Sequence, residues 1–438
     1  MTEYCEQTTK LRNEMSGLSK LKIKDSNEIA ALESDQDFMQ AAISCEAEYH
    51  RITTMFSELD RVNDLAVSLE DIASVLEQTE DPITPSEMAL VQIAGDIATA
   101  GTDVNPDSVI PSVESEDGKA GTIANLKQRV KQLIAAVLAF IKQILARLKN
   151  FAVRIAEMYG TMDRRVDVVL NRAKSYKNKD TRVTHVSGVK SLVGFPSNGS
   201  SVKDARVISD SKKLLKELNN YFQDIKSLNI GTNIDRVAQL ADLVIKVVNS
   251  DNRDSVISEL RKALNIFTIK QEHAFLGGLI LRVDSEQIDG NDITPSELGS
   301  FFRNTRVVVE HADSTLIKTV DHQELLSVDD IVSGLEVLRE IIKISNTTGA
   351  NSIQSQLMHT ESVLSKIQNN LTHALQQIEK NKDADVVAFN FAKAVIPEFL
   401  SFATSASTTG LISVLKNSAT IANDMVSVFQ KHLACYED

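Results

Sequence analysis

The side chains of this chain that could do chemistry are few and scattered. Cys45 and His50 are close enough in sequence to be a nucleophile and its base, but both lie in a polar, helix-forming stretch. The stretch from Asp284 to Ser296 has the length of a calcium-binding loop, yet Ser and Gln occupy positions where carboxylates are needed. No phosphate-loop, dinucleotide-binding or HExxH motif occurs in the sequence. The sequence therefore predicts no active site, no metal site and no cofactor.

The three cysteines are isolated and odd in number, which speaks against a disulfide framework or a zinc site. We expect reduced thiols in a reducing compartment. The first residues lack the apolar segment of a secretory signal, so we expect the protein to be made and kept in a cytoplasm.

Charge is distributed very unevenly along the chain. Residues 1–114 hold 23 acidic and 7 basic side chains, a net of −16, whereas residues 118–179 hold 14 Lys/Arg against three acids, a net of +11. The total of −13 hides this change of sign, and residues 115–438 alone would carry +3. This pattern suggests an acidic head that masks a basic segment, and it bears on partners rather than on fold.

The basic segment predicts a long amphipathic helix from Thr122 to Lys177, because apolar residues recur at spacings of three and four from Leu126 to Met158. Cations fill much of the other face: Lys127, Arg129, Lys131, Lys142, Arg147, Lys149 and Arg154. Its apolar centre is too short to cross a bilayer. Three interpretations remain open for these cations, namely the solvated face of a packed helix, a surface that contacts DNA phosphates, or an interfacial membrane helix.

The fold class predicted is mainly α, with long amphipathic helices and a small β element in the middle of the chain. Seven Pro and seventeen Gly are few for 438 residues, and both residues interrupt helices. We divide the chain into an acidic helical head with a linker (residues 1–114), the basic helix (115–180), a mixed α/β region (181–311) and a helical C-terminal region (312–438).

Periodicity locates most of the individual elements. The predicted helices are Asp35–Leu76, Ser211–Leu228, Asn233–Asn249, Arg253–Phe267, Val328–Asn346, Ile353–Asn381 and Ala384–His432, the last with breaks near Pro397 and Gly410. The β-branched runs Leu276–Val283 and Arg306–His311 could pair as a small sheet. A Thr-Pro-Ser-Glu sequence occurs at Thr84 and again at Thr294, and each copy can cap the start of a helix.

A linker rich in Gly, Pro, Ser and acidic residues separates the head from the basic helix, over residues 101–121. An acidic helical head, a linker containing Ser112-Val113-Glu114 and a basic aliphatic helix from about Gly121 together resemble the internal head proteins of giant phiKZ-like tailed bacteriophages. The resemblance covers about residues 60–160. It implies a virion structural protein packed inside the procapsid and cut by the prohead maturation protease after a small-residue–x–Glu site, with Ser115 as the first mature residue.

The resemblance also implies partners and a location: the maturation protease, capsid or other internal head proteins, and packaged DNA bound by non-specific electrostatics, in the virion interior after assembly in the host cytoplasm. Cutting would then remove the acidic mask from the basic helix. Other segments also fit the cleavage pattern: Ala31-Leu-Glu33, Ser44-Cys-Glu46, Ser68-Leu-Glu70 and Gly334-Leu-Glu336. Only Ser112 to Glu114 lies in a stretch predicted to be extended, as a protease requires.

Two other classes of function remain open on the sequence. A cytoplasmic helical scaffold or membrane-surface-binding protein would act through the basic helix. An enzyme would need an unrecognised site within residues 181–311.

Overall fold

The structure is a computed structural model that describes residues 26–78, 118–176, 180–196, 201–227, 234–250, 252–264, 272–285, 294–346, 352–380 and 385–436. Over these ranges it contains nine α-helices and nine short strands, which confirms the mainly α fold class. The first Thr-Pro-Ser-Glu sequence, at Thr84, lies outside the described residues.

The helices fall in two groups along the chain, two long ones first and seven after the first strands. They are α1 (Ser26–Gln78), α2 (Gly118–Ser175), α3 (Ser211–Ser227), α4 (Ile234–Asn249), α5 (Arg253–Leu264), α6 (Pro295–Asn304), α7 (Val328–Asn346), α8 (Ile353–Lys380) and α9 (Val386–Ala434). The strands are β1 (His185–Val186), β2 (Val189–Lys190), β3 (Leu192–Gly194), β4 (Arg206–Ile208), β5 (Glu272–Phe275), β6 (Leu279–Asp284), β7 (Arg306–His311), β8 (Thr319–Val320) and β9 (Gln323–Glu324).

The predicted apolar stripe of the basic helix forms the buried side of α2. Eight of its ten residues, including Leu148, Phe151 and Ile155, are buried. The helix begins at Gly118 rather than Thr122, so the last residues assigned to the linker are helical. The sequence indicated a linker up to Gly121 because Gly118 and Gly121 have a low helix propensity.

Helix α1 packs along α2, and the two share a core with the rest of the molecule. Tyr49, Ile52 and Leu59 of α1 belong to the same hydrophobic cluster as the stripe of α2 and the buried residues of α9. Towards the far end of the pair, Leu65, Leu69 and Leu76 form a second, smaller cluster with Leu126 and Val130. Residues 36–78 are therefore a packed layer of the fold. The division into four segments is still a prediction, but the head and the basic helix do not have separate cores.

Helix α9 lies at the centre of the fold and is buried on almost every side. Its many hydroxyl residues are tolerated because they bond to carbonyls one turn back: Thr404 Oγ1 donates to Leu400 O at 2.8 Å and Thr408 Oγ1 to Thr404 O at 2.7 Å. The breaks predicted near Pro397 and Gly410 are wrong, because the helix runs through both residues. Packing on all sides maintains it across sites that would end an isolated helix.

Three strands form the largest sheet, β5–β6–β7, with antiparallel pairing throughout. The predicted pairing of the runs at 276–283 and 306–311 is confirmed as β6 with β7. The β5–β6 turn contains Gly277 and Gly278 at φ 87° and 78°, a region that favours glycine. Asn417 of α9 holds this turn by donating from Nδ2 to Leu276 O at 2.8 Å. The sheet is thereby fixed against the central helix.

The β content extends past residue 311, which the sequence did not predict. Strand β8 pairs antiparallel with β2, with Val320 opposite Val189, and β9 pairs antiparallel with β1, with Gln323 opposite Val186. Two-residue strands are too short to produce an alternating pattern, so only the tertiary pairing identifies them. The predicted cap at Thr294 is confirmed: Thr294 and Glu297 form a reciprocal capping box at the start of α6.

Candidate functional site

The candidate functional surface is the cationic face of α2, and much of it is neutralised within the fold. Lys127 pairs with Glu77, and Arg147 with Glu48 at 3.2 Å, both acids being on α1. Lys131 pairs with Glu379 of α8, and Arg154 with Glu157 of α2 itself at 3.0 Å. These four predicted contact residues therefore already have acidic partners.

The remaining predicted contact residues are less constrained. Arg129 Nη1 donates to Gln132 Oε1 at 2.8 Å on the exposed side of the helix. Lys142 and Lys149 are exposed and form no ion pair among the residues that the structure describes. The structure thus places the seven predicted cations along one helix but leaves Lys142 and Lys149 as its most available charges.

The net charges of α1 and α2 are nearly equal and opposite. Helix α1 holds twelve acidic and two basic residues, a net of −10, and α2 holds twelve basic and three acidic residues, a net of +9. The opposite charges meet along the pair, as at Glu48 and Arg147. Helix α1 thus neutralises Lys127 and Arg147 of the basic helix, and it does so as a packed partner helix whose apolar side is buried in the same core.

A second set of polar contacts joins α1 to α9. Lys416 Nζ lies 2.7 Å from Glu46 Oε1 and 4.1 Å from the centre of the Tyr49 ring. Lys393 pairs with Glu70 further along the same seam. Between them, Asn63 of α1 donates a hydrogen bond to the carboxylate of Glu398. The acidic helix is therefore fixed to the central helix as well as to α2.

Glu398 is a buried carboxylate, only 2% exposed, on the apolar helix α9. Arg303 of α6 approaches its Oε1 with Nε at 3.1 Å and Nη2 at 3.0 Å. Burial raises the pKa of Glu398, and the hydrogen bonds from Arg303 and Asn63 act in the opposite direction. Sequence analysis missed this residue. The signal that could have found it is a lone acid in an otherwise apolar helical run, which needs a partner wherever it is buried.

A cavity of 310 Å³ opens beside Glu398, between α1, α6, β7 and α9. Asp60 and Asp64 of α1 face Arg303 and Arg306 across it. Desolvation raises the pKa of Asp60 to about 6, the negative charge of Asp64 adds to the shift, and Arg306 opposes it. Acidic side chains of α1 and basic side chains of α6 and β7 therefore face one another here, and their attraction helps to hold α1 in place.

The Cys45 and His50 pair does not form a nucleophilic site. Cys45 is 2% exposed, and its burial raises the pKa of the thiol to about 12, the opposite of what activates a cysteine. His50 lies on the surface and contacts Glu46 at 2.8 Å. Within the described part of the chain no group of three or more His, Cys, Asp or Glu is arranged to hold a metal ion. Most of the loop that resembled a calcium site, residues 286–293, is not described.

The predicted cleavage site, Ser112, Val113, Glu114 and Ser115, lies outside the described residues. The four competing small-residue–x–Glu segments are described, and all four are helical. Those ending at Glu33, Glu46 and Glu70 lie within α1, and the one ending at Glu336 lies within α7. Ser26-Asn27-Glu28, at the start of α1, also fits the pattern, and the pattern alone does not separate these six segments.

Two features bear on membranes. The apolar stripe of α2 is covered by α1 and the helices around it, so an interfacial role for α2 would require the core to open. Helix α9 is long and apolar enough to span a bilayer by length and composition, but 67% of its most apolar window is buried inside the fold. Burial of that kind is typical of the central helix of a globular protein.

Comparison with known proteins gives one match. The family model of phiKZ-like phage internal head proteins matches residues 27–269, which is more than half of the chain. No curated protein and no solved structure matches. The matched region begins at the second residue of α1, contains all of α2, and continues past the end of α5. On this match, the chain belongs to the phiKZ-like phage internal head proteins.

Proposed function

We propose that this internal head protein is made as a precursor and is cut after Glu114 by the prohead maturation protease during head assembly. Family membership gives the coarser statement, a structural protein of the virion interior that associates with capsid or other head proteins. Cleavage would be the irreversible step that commits the protein to the mature particle.

The observation that carries the proposal is the location of the competing sites. A protease binds its substrate as an extended strand, so a site within a stable helix is cut only if the helix unfolds. Five of the six small-residue–x–Glu segments lie within α1 or α7. Ser112-Val113-Glu114 instead lies in a Gly-, Pro- and acid-rich stretch that has the composition of a linker. This difference supports Glu114 as the preferred cleavage position.

The partner inside a filled head would be packaged DNA, contacted through sequence-independent electrostatics. The exposed ammonium groups of Lys142 and Lys149 on α2 support this part of the proposal. The paired cations of the same helix, such as Arg147, would contribute less because an acid already neutralises each of them.

The test is the N-terminus of the protein in purified mature particles. Mass spectrometry should find a new N-terminus at Ser115 and no peptide that spans Glu114 and Ser115. In particles carrying Glu114→Gln the spanning peptide should return, because the carboxylate that the protease selects is gone. Glu336→Gln is the matched control, since it changes the same residue type in a helical site and should leave cleavage unaffected. A spanning peptide at full abundance in wild-type particles would overturn the proposal.

A further inference from the structure

We infer that a cut between Gln78 and Gly118 does not release α1, so that residues 26–78 persist in the mature protein as a separate helix held without a covalent link. This inference rests on the proposed cleavage but reverses the outcome expected from the sequence, in which the acidic head departs and exposes the basic helix. The contacts of α1 with α2 and α9 carry it.

The first of these contacts is apolar. Residues all along α1 are nearly or fully buried: Phe38, Cys45, Tyr49, Ile52, Leu59, Leu65, Leu69, Ile72 and Leu76. They pack on the stripe of α2, which α7, α8 and α9 also contact. Because the hydrophobic effect depends on the area removed from water and not on chain connectivity, cutting the chain between Gln78 and Gly118 leaves this attraction intact.

The second set of contacts is polar and also involves no residue between Gln78 and Gly118. Release of α1 would leave the buried Glu398 without the hydrogen bond from Asn63, and Lys416 without Glu46. It would also remove the acids that pair with Lys127 and Arg147. A half-buried charge that loses its partner is costly, so these pairs oppose dissociation.

Charge balance favours the same conclusion. With −10 on α1 and +9 on α2, separating the helices works against long-range attraction as well as against local pairs. If α1 stays, cleavage by itself changes the net charge of the particle-bound protein very little. Its main consequence is that residues 79–114 remain linked to α1 alone and residues 115–117 to α2 alone.

Further trimming of α1 is opposed by the same geometry. Cutting after Glu46 or Glu70 requires the protease to unwind a helix in which both carboxylates are paired, with Lys416 and Lys393 respectively. Local unfolding of a helix that contributes to the main core is rare compared with opening of a loop.

The experiment uses the full chain with a recognition sequence for a site-specific protease inserted between Ser115 and Glu116. After complete cutting, size-exclusion chromatography in native buffer should give one peak that contains both fragments. Denaturing urea should separate them. Co-elution should also survive salt of about 1 M. Exposed ion pairs are strongly screened at that concentration, but the buried apolar contacts between α1 and α2 are not. Fragments that elute apart in native buffer would overturn the inference.

A matched pair of variants localises the attachment. Leu59→Asp places a charge at a fully buried position of α1 and should release the N-terminal fragment after cutting. Val75→Asp makes the same kind of change at a position that is 60% exposed and should not. If Val75→Asp also releases the fragment, general acidity of α1 rather than its packed face controls retention, and the inference fails.

Mature particles distinguish this inference from the proposed cleavage. Peptides from residues 36–78 at the same abundance as those from α2, together with an N-terminus at Ser115, support both. The Ser115 terminus without those peptides leaves the cleavage standing and overturns retention. If no Ser115 terminus is found, the cleavage proposal fails, and the engineered cut still decides whether α1 stays bound.

Discussion

Helices α2 and α9 are similar in length but differ in how much of their surface is buried. Helix α2 buries one stripe and exposes a cationic face whose charges pair mostly at the surface, as Arg154 does with Glu157. Helix α9 is enclosed on nearly all sides and contains only five Lys, Arg, Asp or Glu residues in 49 positions. Its acids Glu398 and Asp424 are each buried against a cation from another element.

The difference teaches where charge matters in this fold. A surface pair on α2 gains little, because water solvates either side chain once the pair is broken. A buried pair on α9 is needed, because removing the partner leaves a charge that water cannot reach. The same change of residue type should therefore have very different effects on the two helices.

The largest effect is expected at the buried carboxylate of α9. Arg303→Met should lower the free energy of unfolding at neutral pH by about 3 kcal/mol, because Glu398 loses its cationic partner. The control Arg154→Met breaks a half-exposed pair on α2 and should cost less than about 0.5 kcal/mol. Chemical denaturation of both variants measures the contrast, and equal losses would contradict it.

Acid should partly restore the Arg303→Met variant. The pKa of Glu398 is already raised by burial, and loss of Arg303 raises it further. Burial also raises the pKa values of Asp64 and Asp71 on α1, and the charge of Arg303 opposes the rise, so loss of Arg303 raises the pKa of all three carboxyls. Protonation then favours the folded state, and the deficit of the variant should shrink as the pH falls through these pKa values.

The next effect concerns His432, which is fully buried near the end of α9. Its Nδ1 accepts from Leu326 N at 3.1 Å and its Nε2 lies 3.0 Å from Gln323 Oε1, which defines a neutral ring with the proton on Nε2. Burial lowers the pKa of His432 to about 4. The folded state therefore binds fewer protons than the unfolded state between pH 6.5 and 4, and stability should be lost on acidification by about 3 kcal/mol at most.

His432→Gln tests this linkage, since glutamine does not titrate. The variant should be less stable than the wild type at neutral pH but should lose this part of the pH dependence between pH 6.5 and 4. His50→Gln is the control, because that imidazole lies on the surface of α1. A wild-type slope that persists in His432→Gln would show that other groups cause the acid loss.

Substitutions at two glycines should change the free energy of unfolding by smaller amounts and in opposite directions. A Cβ added to Gly334 of α7 would lie 2.3 Å from Phe429 Cζ of α9, whereas one added to Gly160 of α2 would meet no atom within 4 Å. Gly334→Ala should destabilise by about 1–3 kcal/mol through overpacking, and Gly160→Ala should stabilise by up to about 1 kcal/mol through helix propensity. Thermal unfolding measures both. A stabilising Gly334→Ala would show that α7 and α9 are not closely packed.

The smallest effect on stability is expected at the exposed cations of α2. Lys142→Glu with Lys149→Glu should change the unfolding free energy by less than about 0.5 kcal/mol. If the pair contacts phosphates, the same variant should weaken binding to non-specific duplex DNA and reduce the dependence of log affinity on log salt by about 0.9 per lost contact. Lys203→Glu with Lys262→Glu makes the same change in net charge elsewhere on the surface and should retain the wild-type slope.

Helices with one buried face were well predicted from the sequence. The predicted bounds of α7, Val328 and Asn346, agree with the observed bounds to the residue. Prediction failed where tertiary contacts override local signals. Pro397 and Gly410 suggested breaks in α9, and the two-residue strands β8 and β9 left no pattern to detect. The sequence predicted candidate cations on α2, and that they contact DNA stays a prediction, but it did not predict their acidic partners, among them Glu48 and Glu379. A pairing between residues far apart in the chain leaves no local trace.

The sequence alone determined that the protein is mainly helical, that an acidic segment precedes a basic one, and that the chain resembles internal head proteins. The first two properties follow from composition and periodicity, which act locally, and the third is a resemblance in the order of the segments. The tertiary structure decided that the two charged segments are packed partners in one core and that Glu398 with Asn63 joins the first helix to the last. Burial is a property of the assembled fold, so whether an acidic segment is a loose mask or a fixed layer depends on contacts that form only when distant residues meet.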